Sequence, residues 1–370
     1  MQSETFYKKV YGIFLTFLFI AVAAILKICS SVFIPLTLAV LLSLVFYPLV
    51  KTMHECKAHI PWVVGVIVVM LISLVVCVIV GNLLATSIKT IVTTYPKYES
   101  KFMTMYTWIC DLMKIPVNQD ESFINNLWNT SKIRSMIQNS ALSVSNGLVN
   151  FVKDILLIML FEIFLLIEMK NITYKAKEAF PKESTFHKAT IIGSNIIAQV
   201  THFISIKFCV SAITGILVYF SCLFIHMDFA IVWGFLAFVL NFIPNFGSIT
   251  SWAVTTIFAI LQFFPHWGQA VYIAVMLLAI NMIIGNFIEP HWEGHDLGLS
   301  PFVILIMLSV WFWMWGFVGA ILAVPITVIL RIVFENIDEL KPVAILLGNG
   351  RKYKEKARKE KAAEKDAISS

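Results

Sequence analysis

Two breaks in long apolar stretches hold the residues with the most specific chemistry. The first is Asn241-Phe242-Ile243-Pro244-Asn245-Phe246-Gly247. A proline frees a backbone carbonyl one turn before it, and an asparagine can satisfy that carbonyl or present it, with its own amide, to a ligand. The pattern predicts reversible hydrogen bonding of a small polar solute at Asn241, Pro244, Asn245 and Gly247. The competing reading is a kink satisfied wholly inside the protein. The second break is Trp315-Gly316-Phe317-Val318-Gly319, with Gly316 and Gly319 as its flexible points. Asn281 joins the solute-binding set. It stands one turn from Gly285, so close helix contact is an equal alternative there.

Carboxylates inside apolar segments are candidates for ion or proton coupling. Glu162 lies in Leu160-Phe161-Glu162-Ile163-Phe164, about two turns inside the end of its segment. Its alternative role is a protonated acid hydrogen-bonded to a neighbouring helix. Glu289 closes another apolar segment before Pro290, where snorkelling to the interface competes with coupling. Glu168, beside Lys170, reads as structural. The run Trp311, Phe312, Trp313, Trp315 and Phe317 can stack on a ring-shaped solute or anchor a hairpin tip at the interface.

Glu289, His291, Glu293, His295 and Asp296 form a dense polar cluster, and two histidines four apart suit a metal on a helix. Pro290, Gly294 and Gly298 argue against a regular helix there, so the segment reads as a loop and no metal site is expected. The sequence has no HExxH, no phosphate-binding loop, no GxSxG and no dinucleotide fingerprint after a strand. Neither an enzyme, nor catalytic residues, nor a cofactor is expected.

The elements that position these residues follow from composition. Of 370 residues, 59% are hydrophobic and 14% charged, and the mean hydropathy is +0.84. A soluble domain carries about 25% charged residues, so a wettable surface is hard to build from this chain. Disorder is excluded by the same figures. Six cysteines, four of them in apolar runs at Cys29, Cys77, Cys209 and Cys222, exclude a disulfide scaffold. A polytopic all-α membrane protein remains.

A span needs about 20 apolar residues. Val10–Ile28, Val32–Val50, Pro61–Gly81, Leu148–Met169, Lys207–His226 and Gly268–Ile288 qualify, and Pro35 is expected in the first turn of the second. Between Asn82 and Asn146 the apolar residues Ile88, Ile91, Tyr95, Tyr98, Phe102, Met105, Ile109 and Leu112 recur every three or four positions, which predicts amphipathic helix outside the membrane. Pro96 and Pro116 punctuate it. A second such stretch runs through Ile124, Leu127, Trp128, Ile133, Met136 and Ile137. Phe229–Phe264 and Pro301–Phe334 are too long for simple spans: 34 residues would reach about 51 Å as one helix. Each is predicted to fold back as a hairpin at its Pro or Gly break.

Lysines and arginines near the segment ends set orientation. Lys8 and Lys9, Lys51 and Lys57, the lysines from Lys170 to Lys188, and the tail Arg351–Ser370 fall on one side if each hairpin enters and leaves on the same face. The tail alone supplies +4 of the net +6. Both termini are then cytoplasmic and the insertion is external. Its six basic residues sit awkwardly there, although long loops are weakly governed by this bias. The hairpins enter from opposite faces, a device by which transporters hold solute near the midplane. The basic tail suits anionic lipid, and no nucleic-acid partner is expected.

The order of Asn241–Gly247, Glu289-Pro290 with Gly294, Leu297-Gly298-Leu299-Ser300-Pro301 and Gly316–Pro325 resembles the autoinducer-2 exporter family of bacterial membrane proteins, over roughly Val10 to Asn336. The resemblance implies a multi-pass transporter of the inner (cytoplasmic) membrane, assembled as a homo-oligomer, a pentamer, and moving a hairpin-bearing unit by an elevator-type motion. Some members resemble exporters of the quorum-sensing furanone and others sodium(lithium)/proton antiporters, so the partner is a small polar solute or a monovalent cation. Where relatives carry an aromatic after the hairpin proline, this chain has Asn245 and then Phe246. Expected regions are residues 1–81 (N-terminal spans), 82–147 (amphipathic insertion), 148–206 (span plus amphipathic cytoplasmic segment), 207–336 (hairpin-bearing transport unit) and 337–370 (basic tail). An exporter is the first reading, an antiporter the second, and a non-transporting scaffold or channel the third.

Overall fold

A computed structural model describes residues 2–56, 60–112, 133–293 and 299–349. The expected second amphipathic stretch at Ile124, Leu127 and Trp128, together with His295, Asp296, Gly294, Leu297, Gly298 and the basic tail, lies outside them. The described chain is helical throughout: α1 (Gln2–Ile28), α2 (Ser30–Glu55), α3 (Trp62–Leu112), α4 (Ile133–Met169), α5 (Ile172–Ala179), α6 (Glu183–Phe224), α7 (Ala230–Leu240), α8 (Phe246–Phe263), α9 (Trp267–Ile283), α10 (Glu289–Glu293), α11 (Pro301–Glu335) and α12 (Lys341–Leu347). A π-helical turn, Ile284–Ile288, joins α9 to α10. Among the described residues the one β feature is an isolated bridge between Leu299 and Gly348. Among the described residues six helices are long and apolar enough to cross a membrane, in α2, α3, α6, α8, α9–α10 and α11.

Three boundaries differ from the sequence reading. The third span and the insertion after it form one helix, and the backbone of α3 runs through Pro96. A proline inside a long helix removes one hydrogen bond without ending it when the flanking residues keep helical spacing. The later part of the lysine-rich segment, from Glu183, and the span after it are likewise one helix, α6, while its earlier part forms the separate helix α5. The second helix begins at Ser30, so Pro35 sits inside it with Pro48 instead of in its first turn.

The chain divides into two compact units. The first comprises Met1–Val69, Leu157–Ile204 and Glu293–Ser370; the second comprises Met70–Leu156 and Ser205–Trp292. In the first, Leu41, Val200, Trp311, Trp315, Leu322 and Ala323 form one buried cluster. Phe203, Leu299, Val324, Val328, Ile332 and Leu347 form another. In the second, α6, α7, α8 and α9 pack around Val218, Trp233, Ala259, Ile273 and Leu277. Helix α9 shows why this is a membrane architecture. Ala270, Ile273, Leu277 and Ile280 are buried, while Val271, Val275, Leu278 and Met282 on its other faces are exposed. A helix that is apolar all round needs an apolar solvent on its outer face.

Both long blocks reverse. A Cβ placed on Gly247 would lie 1.7 Å from the carbonyl oxygen of Leu240, and one on Gly319 would lie 2.0 Å from that of Trp311. Seven and eight residues of straight helix would hold those atoms about 10 Å apart along the axis. The two arms of each hairpin therefore turn back at once, and glycine is the residue that lets backbone meet backbone there. In the second hairpin the turn is made at Trp315 and Gly316, the latter with φ +61° and ψ −142°.

Candidate functional site

The first hairpin tip lies in the second unit. Its geometry starts from Pro244, which cannot donate and stops α7 from continuing. Asn245 follows with φ +61° and ψ −52°, and the Phe246 N–H donates to the Pro244 carbonyl at 2.7 Å. This is a γ-turn of the rare, positive-φ kind, and asparagine tolerates it better than most side chains. Gly247 N–H donates to the Ile243 carbonyl and Ile243 N–H to that of Leu240. The carbonyls of Leu240, Ile243 and Pro244 are thus taken up within the turn. The expected loosened backbone is absent at these three carbonyls, which leaves side chains as the tip's remaining polar groups.

Those side chains form a network. Asn241, nearly buried, donates its Nδ2 to Ser211 Oγ on α6 at 3.1 Å. Ser248 Oγ donates to Asn241 Oδ1 at 3.4 Å, and Asn281 Nδ2 on α9 donates to the Ser248 carbonyl at 3.3 Å. The structure therefore brings together Asn241 and Asn281, joined through Ser248 at the tip formed by Pro244, Asn245 and Gly247. Asn245 itself is exposed. Ser211 and Ser248 were not foreseen; the signal for them is a small hydroxyl residue opposite a membrane-depth asparagine.

One turn before Ser211, about 6 Å along α6, stands Lys207. Its side chain is 5% exposed and forms an ion pair with Glu289, whose side chain is 19% exposed. Glu289 follows the π-helical turn, and its N–H donates to the Ile284 carbonyl in the wide-turn pattern. Such turns re-aim side chains and recur at functional sites. Burying either charge alone is costly, so the pair holds α6 to the end of α9. Lys207 is the third residue that sequence reading missed. The spacing Lys207, Ser211, Thr214 on one face of an apolar helix was the available signal.

The helices beneath the tip cross closely. A Cβ on Gly215 would meet the Gly234 carbonyl oxygen at 2.7 Å, and one on Gly234 would meet that of Gly215 at 2.7 Å. These mutual approaches let α6 and α7 touch backbone to backbone, as small residues do in membranes.

The open end of the same hairpin is a polar joint. Asp228 accepts hydrogen bonds at its carboxylate from Lys97 Nζ and Tyr98 Oη. Its N–H donates to Gln262 Oε1 at 2.8 Å, and its carbonyl accepts from Trp233 Nε1 at 3.1 Å. Burial alone would raise the Asp228 pKa. The bonds from Lys97 and Tyr98 and the charges of Lys97 and Lys101 outweigh it and hold the carboxyl below its usual range. Burial first, then the bond to Asp228, pushes Tyr98 well above the ordinary phenol value, so it stays a donor.

The remaining candidates, Glu162, Gly316 and Gly319, belong to the first unit. Glu162 is fully buried. Trp315 Nε1 donates to the Leu26 carbonyl at 3.0 Å, and Trp311 and Trp315 stack with centroids 4.9 Å apart inside the core. Trp313 and Phe312 point outward, with Lys27 3.5 Å over the Trp313 ring. The aromatic run is thus divided between core packing and an outer surface. Glu168 pairs with Lys175 in a surface ion pair, in keeping with a structural role. Among the described residues no group of three metal-ligating side chains converges.

The chain is similar along most of its length to bacterial transport proteins. It is 29% identical over 324 residues to a candidate transport protein of Borreliella burgdorferi, covering 87% of this chain and 86% of that one. It is 28% identical over 329 residues to the AI-2 transport protein TqsA of Escherichia coli, covering 88% and 91%. It is 25% identical over 318 residues to the sodium-lithium/proton antiporter of Halobacillus andaensis, covering 80% and 87%. Family members are transporters and not enzymes. The pattern of that family spans residues 13–339, and the chain belongs to the AI-2E family of membrane transporters.

Proposed function

We propose that this transporter exports a small polar signal molecule of the autoinducer-2 furanone type across the bacterial inner membrane. The observation that carries the reading is the neutral hydrogen-bonding set Ser211, Asn241, Ser248 and Asn281 at the tip of the first hairpin. Neutral donors and acceptors in an apolar surround suit a hydroxylated, uncharged solute. In this reading both hairpins are re-entrant, enter from opposite faces, and carry the solute by an elevator-type movement, with Gly316 and Gly319 forming the second tip. The termini are cytoplasmic, residues 82–147 lie on the external side of the membrane, and the protein works as a homo-oligomer, a pentamer. The similarity to TqsA supports the solute class.

The test is uptake of labelled autoinducer-2 into inverted proteoliposomes. Uptake is expected to fall at least about tenfold in Asn241→Leu, which removes hydrogen bonds worth about 1 kcal/mol each. Failure of the intact protein to move the label overturns the reading.

A second reading, sodium(lithium)/proton antiport, is favoured by the buried carboxylate of Glu162, by the part-buried Glu289 paired with Lys207, and by the similarity to the antiporter. Membrane-embedded carboxylates are the usual coupling groups. Proton movement driven by an imposed sodium gradient, and abolished by Glu162→Gln or Glu289→Gln, would establish it over export.

A further inference from the structure

The insertion after the third span has no role in the solute readings above, yet three of its residues reach the open end of the first hairpin. Lys97 and Tyr98 hold the Asp228 carboxylate, and Lys101 Nζ donates to the Gln262 carbonyl on α8. Gln262 then closes the joint from the other arm: its Oε1 accepts from Asp228 N–H, and its Nε2 donates to the His226 carbonyl at 3.2 Å. The Tyr98 ring packs on Phe229 and Phe258, with centroids 5.8 and 5.0 Å away. Further along α3, Trp108 packs on Phe264 and Trp267 at 5.5 and 5.9 Å. The connection that enters the hairpin is strained. His226 and Phe229, neither of them glycine, have φ of +53° and +61° on either side of Asp228. Bulky residues stay in that region only where surrounding contacts over-determine it. Here those contacts come from α3, α7 and α8 together.

We propose that the helical extension of α3 beyond residue 88 is a brace fixed to the first hairpin, with Asp228 as the joint and Lys97, Tyr98 and Lys101 as positioning residues for the hairpin arms. The extension and the hairpin then form one body. The tip network inherits its position from contacts made at the opposite end of α7 and α8, whichever solute the tip binds. A self-contained external domain would have no need of a charged side chain at the hairpin's open end, nor would a hairpin held only by its own loop need Lys97.

The test is a distance measurement that requires no solute. Nitroxides are attached at Thr107→Cys and Ile249→Cys, both exposed positions, in a background without the six native cysteines. Double electron–electron resonance in liposomes, on labelled protein diluted into excess cysteine-free protein so that each oligomer carries at most one labelled subunit, is expected to give one narrow distance. Asp228→Asn is expected to broaden it, and Asp228→Glu, which keeps the charge, to restore it. Tyr98→Phe removes only a hydroxyl and serves as the mild variant if Asp228→Asn does not fold; it is expected to broaden the distribution less. A broad or two-peaked distribution with the joint intact overturns the proposal, as does a distribution that neither Asp228→Asn nor Tyr98→Phe alters.

Discussion

Asn245 and Gly319 show how single residues carry the two reversals. Asn245 sits in a γ-turn at positive φ, where a β-branched side chain is strained by about 1–3 kcal/mol. Asn245→Val is therefore expected to lower the thermal unfolding midpoint in detergent, while Asn245→Gly leaves it within about a degree or raises it slightly. At Gly319 the constraint is space: a methyl group would lie 2.0 Å from the Trp311 carbonyl oxygen, so the backbone must move. Gly319→Ala is expected to cost about 3 kcal/mol or more, measured by urea unfolding. An alanine variant as stable as the parent would mean that the second hairpin does not close at that point. Both tips were legible because proline, asparagine and glycine stand out in apolar blocks. What the tip side chains touch was not legible, since Ser211 and Ser248 look like any small residue of a membrane helix.

Among elements, α6 shows most clearly how tertiary context rewrites a local reading. Its residues before Lys207, with Glu183, His187 and Lys188, suggest an amphipathic surface helix, and its apolar part suggests a separate span. The two parts are one helix because no proline interrupts them, and the two glycines inside, Gly193 and Gly215, are carried without a break. Lys207 marks where the two patterns meet, and it is buried against Glu289 from the end of α9. A removed partner leaves the other charge buried, which typically costs about 3–5 kcal/mol. Lys207→Met alone is expected to destabilise by that order. Lys207→Met with Glu289→Leu is expected to recover most of it, as a chemical-denaturation double-mutant cycle would show. A double variant no more stable than Lys207→Met would mean that the pair contributes packing and not charge compensation. Lys207 lies one turn from Ser211, so the pair also bears on the tip network on which the proposed export rests.

For the whole molecule, two features follow from physics already visible in the composition. The outer faces of α3, α6, α9 and α11 expose large apolar side chains, and only lipid makes that favourable. Electrostatics acts where water returns, at the Asp228 joint. A carboxyl held below its unfolded value contributes stability fully present above about pH 4 and lost as pH falls through its folded value. The stability difference between the intact protein and Asp228→Asn is therefore expected to be constant from pH 5 to 8 and to shrink below about pH 4, by thermal unfolding across that range. A difference that grows on acidification would mean the carboxyl is held protonated. By itself the sequence determined that the chain is helical, that it spans a membrane and that it belongs to a transporter family. Each of those depends on local composition: apolar run length, breaker residues and short motifs. Only the tertiary structure decided that Lys207 meets Glu289, that Asn241 meets Ser211, and that the α3 extension grips Asp228. Such pairs lie from 30 to 131 residues apart in the chain. Hydrogen bonds and ion pairs act over a few ångströms, so their partners are set by how helices pack and not by their order in sequence.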